Sequence, residues 1–168
     1  MTIKREWSMP SRYTFSIRPI ADLLTEEVGE GLWVDPFAGR CRIAEVTNDF
    51  NTAFDTSYNL ESLDFLALFG DRSVDGVLFD PPYSVRQIKE CYESVGLKVL
   101  SETTRSDWWT KRKQAIARVA KDGGKVISFG WNSNGIGRSL GFRKEKILLV
   151  AHGGVHNDTI GVVEIKSA

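Results

Sequence analysis

The sequence contains few cysteines, carries no net charge and has no long hydrophobic run, and each of these absences excludes a class of protein. Only two of the 168 residues are cysteines, Cys41 and Cys91, which is too few for a secreted disulfide framework and leaves no second pair for a zinc site. Lysine and arginine total 22, and aspartate and glutamate also total 22, so neither a polybasic arm nor an acidic tail is the main functional device. The longest apolar runs, such as residues 146–151, fall far short of the ~20 residues that cross a bilayer, and the N-terminus lacks the apolar core of a signal peptide. We therefore expect a cytoplasmic protein with free thiols, no membrane partner and no metal.

The alternation of short apolar runs with helical periods predicts an α/β fold. Runs typical of strands lie at residues 32–34, 45–48, 74–79, 125–129, 146–151 and 159–165. Apolar residues at helical spacing occupy residues 17–28, residues 60–69 and a segment that begins near Asp107. This order predicts right-handed crossovers and a mostly parallel sheet covered on both faces, a Rossmann-like sandwich in which the last two strands pair antiparallel. The length predicts a single domain over residues 1–168, because domains typically span ~100–150 residues.

In an open sheet of this kind ligands bind beyond the carboxyl ends of the strands, and the strongest motif lies at such an end. Asp80-Pro81-Pro82-Tyr83 directly follows the apolar run 74–79. The Asp80 carboxylate and the Pro81 carbonyl can each accept one N–H of a planar amine, and the Tyr83 ring can stack on the group that carries it. Two acceptors that hold the hydrogens out of the ring plane favour a nucleophilic nitrogen, and the carboxylate stabilises the positive charge of the transition state. The alternative is that the two prolines only terminate a strand.

A second motif joins the first to give the chain a family resemblance. Asp35-Pro36-Phe37-Ala38-Gly39-Arg40-Cys41 is similar to the Asp-Pro-Phe-x-Gly-x-Gly motif with which class I S-adenosylmethionine-dependent amino-methyltransferases bind the methionine part of their cofactor. The chain resembles that family over most of its length, and most closely the small bacterial or phage DNA adenine-N6 methyltransferases. Cys41 stands where the family has its second glycine, and we expect its side chain to alter the shape of the loop.

The resemblance implies an activity and a set of site residues. The activity is transfer of a methyl group from S-adenosylmethionine to the N6 amine of an adenine flipped out of DNA, with Asp80, Pro81, Pro82 and Tyr83 as the catalytic residues. The implied cofactor contacts are Phe15, Asp35, Pro36, Phe37, Ala38, Gly39, Asp49, Phe50 and Glu61. Three of them also have a plainer interpretation: a hydrophobic staple for Phe15, a turn residue for Asp49 and a charge at a helix N-terminus for Glu61.

Charge is distributed unevenly along this neutral chain. Residues 84–125 hold ten basic and five acidic residues, whereas residues 26–80 hold three basic and twelve acidic ones. We expect the first segment to form a positive lip beside the pocket, with tryptophans among the cations that contact phosphates. The predicted contact residues of this lip are Ser84, Arg86, Lys89, Arg105, Trp108, Lys111 and Arg112. The alternative is a solvated helix face with a tryptophan packed inward.

The two histidines, His152 and His156, lie close together near the end of the chain. A metal site would need further ligands, and only Asp158 is near, so we expect no metal there. If the first of the last two strands is parallel to the rest, the connection between them lies at the substrate end of the sheet. His156 and Asn157 would then line the base pocket, although a polar loop around the adjacent glycine pair is the alternative.

Two other functions fit the same sequence. An RNA methyltransferase that acts on adenine N6 or guanine N2 would use a similar tetrapeptide. A subunit that binds S-adenosylmethionine or nucleic acid, with little catalysis of its own, would account for the altered Gly39-Arg40-Cys41 loop and for the lack of a segment large enough for a separate target-recognition domain. The expected partner is DNA, with RNA as the alternative, and a homodimer or an accessory recognition protein would add contact surface.

Overall fold

The computed structural model describes residues 1–99 and 107–168, and the strands within them form one mixed sheet. The seven strands of this part of the chain are β1 (Thr2–Trp7), β2 (Trp33–Asp35), β3 (Val46–Thr47), β4 (Val74–Phe79), β5 (Ala120–Gly130), β6 (Phe142–Ala151) and β7 (Thr159–Lys166). Their order across the sheet is β1-β6-β7-β5-β4-β2-β3. β2, β3, β4 and β5 are parallel to one another, β7 is antiparallel to both β5 and β6, and β1 is parallel to β6. This arrangement confirms the predicted Rossmann-like sandwich with an antiparallel strand in a C-terminal hairpin.

Helices cover both faces of the sheet. They are α1 (Arg18–Glu27), α2 (Ser62–Ala67), α3 (Val85–Ser94) and α4 (Trp108–Val119), with short 3-10 turns at Thr14–Ser16 and Arg138–Leu140. Side chains of α1 pack on one face together with Leu78 of β4, and side chains of α2 and α4 pack on the other face together with Val77 and Phe79 of the same strand. Successive residues of a strand point to opposite faces, so β4 is apolar along nearly its whole length. The predicted double-sided cover is confirmed.

The sequence pattern does not predict β1 or α3, because neither element buries a regular apolar face. β1 lies at the edge of the sheet, and five of its six residues are exposed. α3 has one buried residue, Ile88. β1 depends on pairing with another strand, and the surface of α3 is mostly polar. Neither segment therefore shows the apolar periodicity from which a strand or helix is predicted.

β5 begins earlier than the pattern predicts, and this is a correction to the expected strand at residues 125–129. The strand starts at Ala120, directly after α4, and includes Asp122-Gly123-Gly124. The register between β4 and β5 shifts between Val74 and Gly76, and Gly123 has a φ of +76°. The glycine therefore permits a bulge within the strand, where its lack of a side chain avoids strain.

Within the described residues, no helix has both the length and the hydrophobicity needed to cross a bilayer. The same residues contain no group of three or more histidine, cysteine, aspartate or glutamate side chains placed to hold a metal ion.

Candidate functional site

Two adjoining cavities open at the carboxyl edge of the sheet. The first cavity, of about 490 Å³, lies between the ends of β2, β3 and β4 and residues of α3. The second cavity, of about 620 Å³, lies between residues 12–16, the loop 37–43 and the end of β4. Both volumes fall within the range typical of small-molecule sites. The cavities share five lining residues and so form one cleft; these are Thr14, Phe37, Asp49, Phe54 and Asp80.

Asp35, the last residue of β2, anchors the loop that follows this strand. This side chain is fully buried, and its Oδ1 accepts the Phe37 N–H at 2.9 Å. Its Oδ2 is buried without a hydrogen-bond partner among the described residues, and burial raises the pKa of Asp35 well above its usual range. Asp35 lines neither cavity. It supports the loop, whereas Phe37, Ala38 and Gly39 of the same loop face the cleft.

Asp49, just beyond β3, fixes the glycine of this loop. Its Oδ2 accepts the Gly39 N–H and its Oδ1 accepts the Asn51 N–H, each at 2.9 Å. Burial raises the pKa of the Asp49 carboxyl, and the two N–H donors oppose that shift. A carboxylate offers about four lone-pair positions, so two of them remain for a ligand in the cleft.

Cys41 does not strain the loop. Its N–H donates to the Ala38 carbonyl at 2.7 Å in a tight turn. Among the described residues other than glycine, Arg72 has a positive φ and Cys41 does not. The backbone at Cys41 therefore suits any residue, and the side chain is half-buried beside the second cavity, where burial raises the pKa of its thiol to about 11.

Aromatic rings form much of the wall of the first cavity. Phe50 packs against Tyr92 of α3 with ring centroids 5.0 Å apart, and Phe37 packs against Trp108 at 5.9 Å. Trp108 is buried, so it belongs to this wall and not to an exposed lip as the sequence predicts. Phe15, on the side of the second cavity, packs edge-on against Phe129 at 5.2 Å.

Arg112, which is buried, forms an ion pair with Glu61, which is half-buried beside the first cavity. Arg112 donates to Glu61 Oε1, to Ser62 Oγ at 2.7 Å and to the Trp108 carbonyl at 2.9 Å. Its guanidinium also lies over the Trp108 ring, 3.5 Å from the centroid. This geometry corrects the predicted phosphate contact of Arg112, because its donors are turned into the protein. Glu61 lines the cavity and caps α2 by accepting the Leu63 N–H, while the Arg112 charge lowers its pKa against the effect of burial.

Asp80 follows β4 and lines both cavities. The Tyr83 hydroxyl donates to Asp80 Oδ1 and lies 3.5 Å from the Thr14 hydroxyl. Burial raises the pKa of Asp80 to about 6, whereas the hydrogen bonds from Tyr83 and Thr14 favour its charged form. The carboxylate is therefore ionised above about pH 6 and faces the cleft from the junction of its two halves.

The tetrapeptide that contains Asp80 is held in place by hydrogen bonds with α3 and α4. Trp109 of α4 donates its indole N–H to the Pro82 carbonyl at 2.8 Å, and the Tyr83 N–H donates to Gln87 Oε1 at 2.6 Å. No residue in the described ranges donates to the Pro81 carbonyl. The Pro82 carbonyl is thus fixed, whereas the carbonyl of Pro81, a buried residue that lines the first cavity, has no donor within these ranges.

Two residues in or beside the cleft carry no motif in the sequence. Tyr92 lines the first cavity, and Trp131 follows β5 beside a smaller cavity, where its ring packs edge-on against Tyr83 at 5.7 Å. Only the position of Trp131 beyond a strand end could have marked it, since that edge of the sheet gathers ligand contacts. Tertiary packing brings Tyr92 to the site.

The predicted positive lip is largely neutralised. Its exposed cations pair with acidic residues of the same helix, as Arg86–Glu90, Lys89–Glu93 and Lys111–Asp107. Three further cations of residues 84–125 pair with acidic residues elsewhere, as Arg118–Asp71, Lys121–Asp75 and Lys125–Glu27. Ser84 caps α3 by accepting the Gln87 N–H at 3.2 Å, and Arg105 lies outside the described residues. Much of the positive charge that the sequence assigns to a lip therefore takes part in ion pairs.

The connection between β6 and β7 lies at the predicted edge of the sheet, because β6 is parallel to β1 and runs in the direction of β5. His156 and Asn157 are exposed there, and neither lines the two cavities of the cleft. His152 is buried, and its ring nitrogens lie 2.8 Å from the Ser8 carbonyl and the Thr159 hydroxyl. It ties β1 to β7.

No protein-family model matches the chain, and no curated protein is similar to it in sequence. Solved structures share its fold. The 1,6-didemethyltoxoflavin-N1-methyltransferase of Burkholderia thailandensis, solved with 1,6-didemethyltoxoflavin and S-adenosylhomocysteine, matches with a TM-score of 0.61 and 12% identity over 90% of this chain and 78% of that one. PH0226 of Pyrococcus horikoshii OT3 matches with a TM-score of 0.59 and 14% identity over 94% and 92% of the two chains. TrmN of Thermus thermophilus matches with a TM-score of 0.58 and 15% identity over 89% of this chain and 49% of TrmN. The chain therefore has a Rossmann-like fold that methyltransferases also adopt.

Proposed function

We propose that this chain is an S-adenosylmethionine-dependent methyltransferase that acts on the N6 amine of adenine in DNA. The observation that carries the proposal is the position of Asp80 at the junction of the two cavities, next to a Pro81 carbonyl with no donor among the described residues. A methyl donor and an amine acceptor must meet at one point, and Asp80 faces both halves of the cleft. The fold shared with a methyltransferase solved with S-adenosylhomocysteine supports the choice of cofactor.

The residues of the cleft fit S-adenosylmethionine, which when bound supplies a methyl group on a sulfonium open to nucleophilic attack. Gly39 has a φ of +51°, and a Cβ added there would meet only Asp49 Oδ2, at 3.8 Å, so the loop leaves open space beside it. The two free lone-pair positions of Asp49 suit the ribose hydroxyls. Phe50 offers a ring face for the adenine, and Phe15 and Ala38 line the part of the cleft proposed for the methionine.

Asp49→Asn is expected to weaken binding of S-adenosylhomocysteine about tenfold or more, because each hydrogen bond to a charged acceptor contributes about 1.5–3 kcal/mol. Calorimetric titration of the two proteins measures the change. Asp55→Asn, at a nearby exposed aspartate outside both cavities, is the matched control. Equal affinities for wild type and Asp49→Asn would remove Asp49 from the cofactor site.

The target amine is proposed to donate one N–H to Asp80 and the other to the Pro81 carbonyl. These acceptors hold the nitrogen in a nucleophilic geometry, and the carboxylate stabilises the positive charge that develops as the nitrogen bonds to carbon. The N6 amine is paired inside a duplex, so the adenine must leave the base stack to reach them. The Tyr83 ring, edge-on to Trp131, is the proposed stacking surface.

The rate of methyl transfer is expected to rise with pH through about 6, where the Asp80 carboxyl ionises. Tyr83→Phe removes a hydrogen bond that favours the charged form of Asp80, so the pKa of Asp80 rises and the ascending limb moves to higher pH. The pH dependence of kcat/KM for wild type and Tyr83→Phe measures this shift. A limb that stays at the same pH in the variant would show that it belongs to another group.

Transfer of tritiated methyl groups from S-adenosylmethionine to plasmid DNA, with an RNA transcript of the same sequence in parallel, tests the proposed substrate. We expect label in the DNA. Label in the transcript alone would overturn the DNA assignment, and label in neither, from protein that binds S-adenosylhomocysteine, would overturn the proposed activity.

A further inference from the structure

Three arginines, Arg12, Arg40 and Arg42, surround the mouth of the second cavity. All three are exposed, and none takes part in an ion pair found within residues 1–99 and 107–168. Three exposed cations of α3 and α4 behave differently: Arg86 and Lys89 pair with glutamates of α3, and Lys111 pairs with the aspartate just before α4. Unpaired positive charge is therefore present at the mouth of the second cavity, whereas much of the charge of the predicted lip takes part in ion pairs.

Tyr13 organises two of these arginines. The guanidinium carbons of Arg12 and Arg40 each lie 4.8 Å from the centroid of the Tyr13 ring, and Arg12 also donates to the Tyr13 hydroxyl at 2.8 Å. Stacking on an aromatic ring restrains a guanidinium while leaving its N–H donors free at the edges. Arg42 has a different role, because it donates to the Gly39 and Cys41 carbonyls at 2.8 and 2.6 Å and so supports the loop.

The cofactor does not account for this charge. S-adenosylmethionine carries a carboxylate, an ammonium and a sulfonium, and is therefore cationic overall. The rim formed by the three arginines therefore repels the cofactor at a distance, whereas it attracts a polyanion. The planar fork of arginine matches two oxygens of a phosphate, and a nucleic acid presents such groups in succession.

We propose that Arg12 and Arg40, held over the Tyr13 ring, bind the DNA phosphates that flank the target adenine. Asp80 also lines the cavity that they border, so DNA phosphates held at its mouth lie close to the proposed catalytic carboxylate. Phosphate contacts of this kind fix the register of the DNA and carry no sequence information. The inference rests on the proposed function for the identity of the polyanion.

Fluorescence anisotropy with a labelled DNA duplex, over a range of salt concentrations, tests this surface directly. The variants are Arg12→Gln, Arg40→Gln and the double variant. Arg143→Gln is the matched control, since Arg143 is exposed at the start of β6, at the opposite edge of the sheet. Each change in the rim is expected to reduce the slope of log K against log salt by about 0.9 and to weaken binding about tenfold near 50 mM salt, as the loss of one phosphate contact requires. Arg143→Gln is expected to leave the slope unchanged.

Two outcomes would overturn the proposal. One is a salt slope that is the same in the double variant as in wild type and Arg143→Gln. The other is a loss of affinity for S-adenosylhomocysteine, measured by calorimetry, with unchanged affinity for DNA, which would assign the arginines to the cofactor carboxylate. The anisotropy assay measures DNA binding and not methylation, so failure of this proposal can be distinguished from failure of the proposed activity. If DNA binds through these arginines but is never methylated, the phosphate site is retained and the proposed enzymatic activity is rejected. A slope reduction seen with RNA and not with DNA would reject DNA as the partner.

Discussion

Asp80→Ala is expected to lower kcat for methyl transfer by about 10²- to 10³-fold, the loss typical when one group aimed at developing charge is removed. The carboxylate lies at the junction of the two cavities and is held by the Tyr83 hydroxyl, so it is positioned before the substrate arrives. Asp80→Asn keeps one acceptor oxygen but not the charge, and a fall of similar size in that variant would assign the effect to charge. Single-turnover kinetics with saturating cofactor measures both variants.

The matched control for this change is Asp64→Ala, at an exposed aspartate in the first turn of α2. Its kcat is expected to equal that of wild type. Calorimetry with S-adenosylhomocysteine shows whether an Asp80 variant keeps its cofactor site. A variant that binds cofactor normally and turns over at the wild-type rate would remove Asp80 from the chemistry.

Arg112→Ala is expected to lower the free energy of unfolding by about 3 kcal/mol, because it removes a buried charged donor whose hydrogen bonds contribute about 1.5–3 kcal/mol each. Glu61 would lose its cation, and Ser62 and the Trp108 carbonyl would each lose a hydrogen bond. For a chain of this size the loss corresponds to a fall in Tm of roughly 6–12 °C. Denaturant unfolding gives the free energy directly, provided that the m-value does not change.

Lys111→Ala, on the adjacent residue, is the control for that measurement. Lys111 pairs with Asp107 at the surface, and exposed pairs contribute about 0–1 kcal/mol. If both variants lost the same small amount of stability, Arg112 would not be the buried anchor described above. A normal stability together with weakened binding of DNA would instead restore the phosphate contact that the sequence predicts.

The fold class and the placement of the main motifs at one edge of the sheet could be predicted from the sequence, because both depend on local patterns. Apolar runs mark β4 and β6, and a parallel sheet brings the residues after each strand to one edge. Asp49 and Asp80 are therefore predicted to lie together, Asp49 from its place after a strand and Asp80 also from the motif that it begins. The cofactor and catalytic assignments of these residues remain proposals.

The charged residues could not be placed from the sequence, because ion pairing is decided by tertiary structure. Arg112 reaches Glu61 across 51 positions of the chain, and Lys125 reaches Glu27 across 98. A count of charges along the chain cannot distinguish such partners from free surface cations. The cluster of Arg12 and Arg40 could not be predicted for the same reason, because the two residues lie in different segments and come together at the Tyr13 ring.

Identification of the methylated nucleoside tests the central claim most directly. DNA incubated with the protein and S-adenosylmethionine carrying a tritiated methyl group is digested to nucleosides, and the labelled species is separated by chromatography and identified by mass. The geometry of Asp80 and the Pro81 carbonyl predicts N6-methyldeoxyadenosine as the labelled product. Label on cytosine, or DNA that stays unlabelled while the protein binds both cofactor and DNA, would contradict the account.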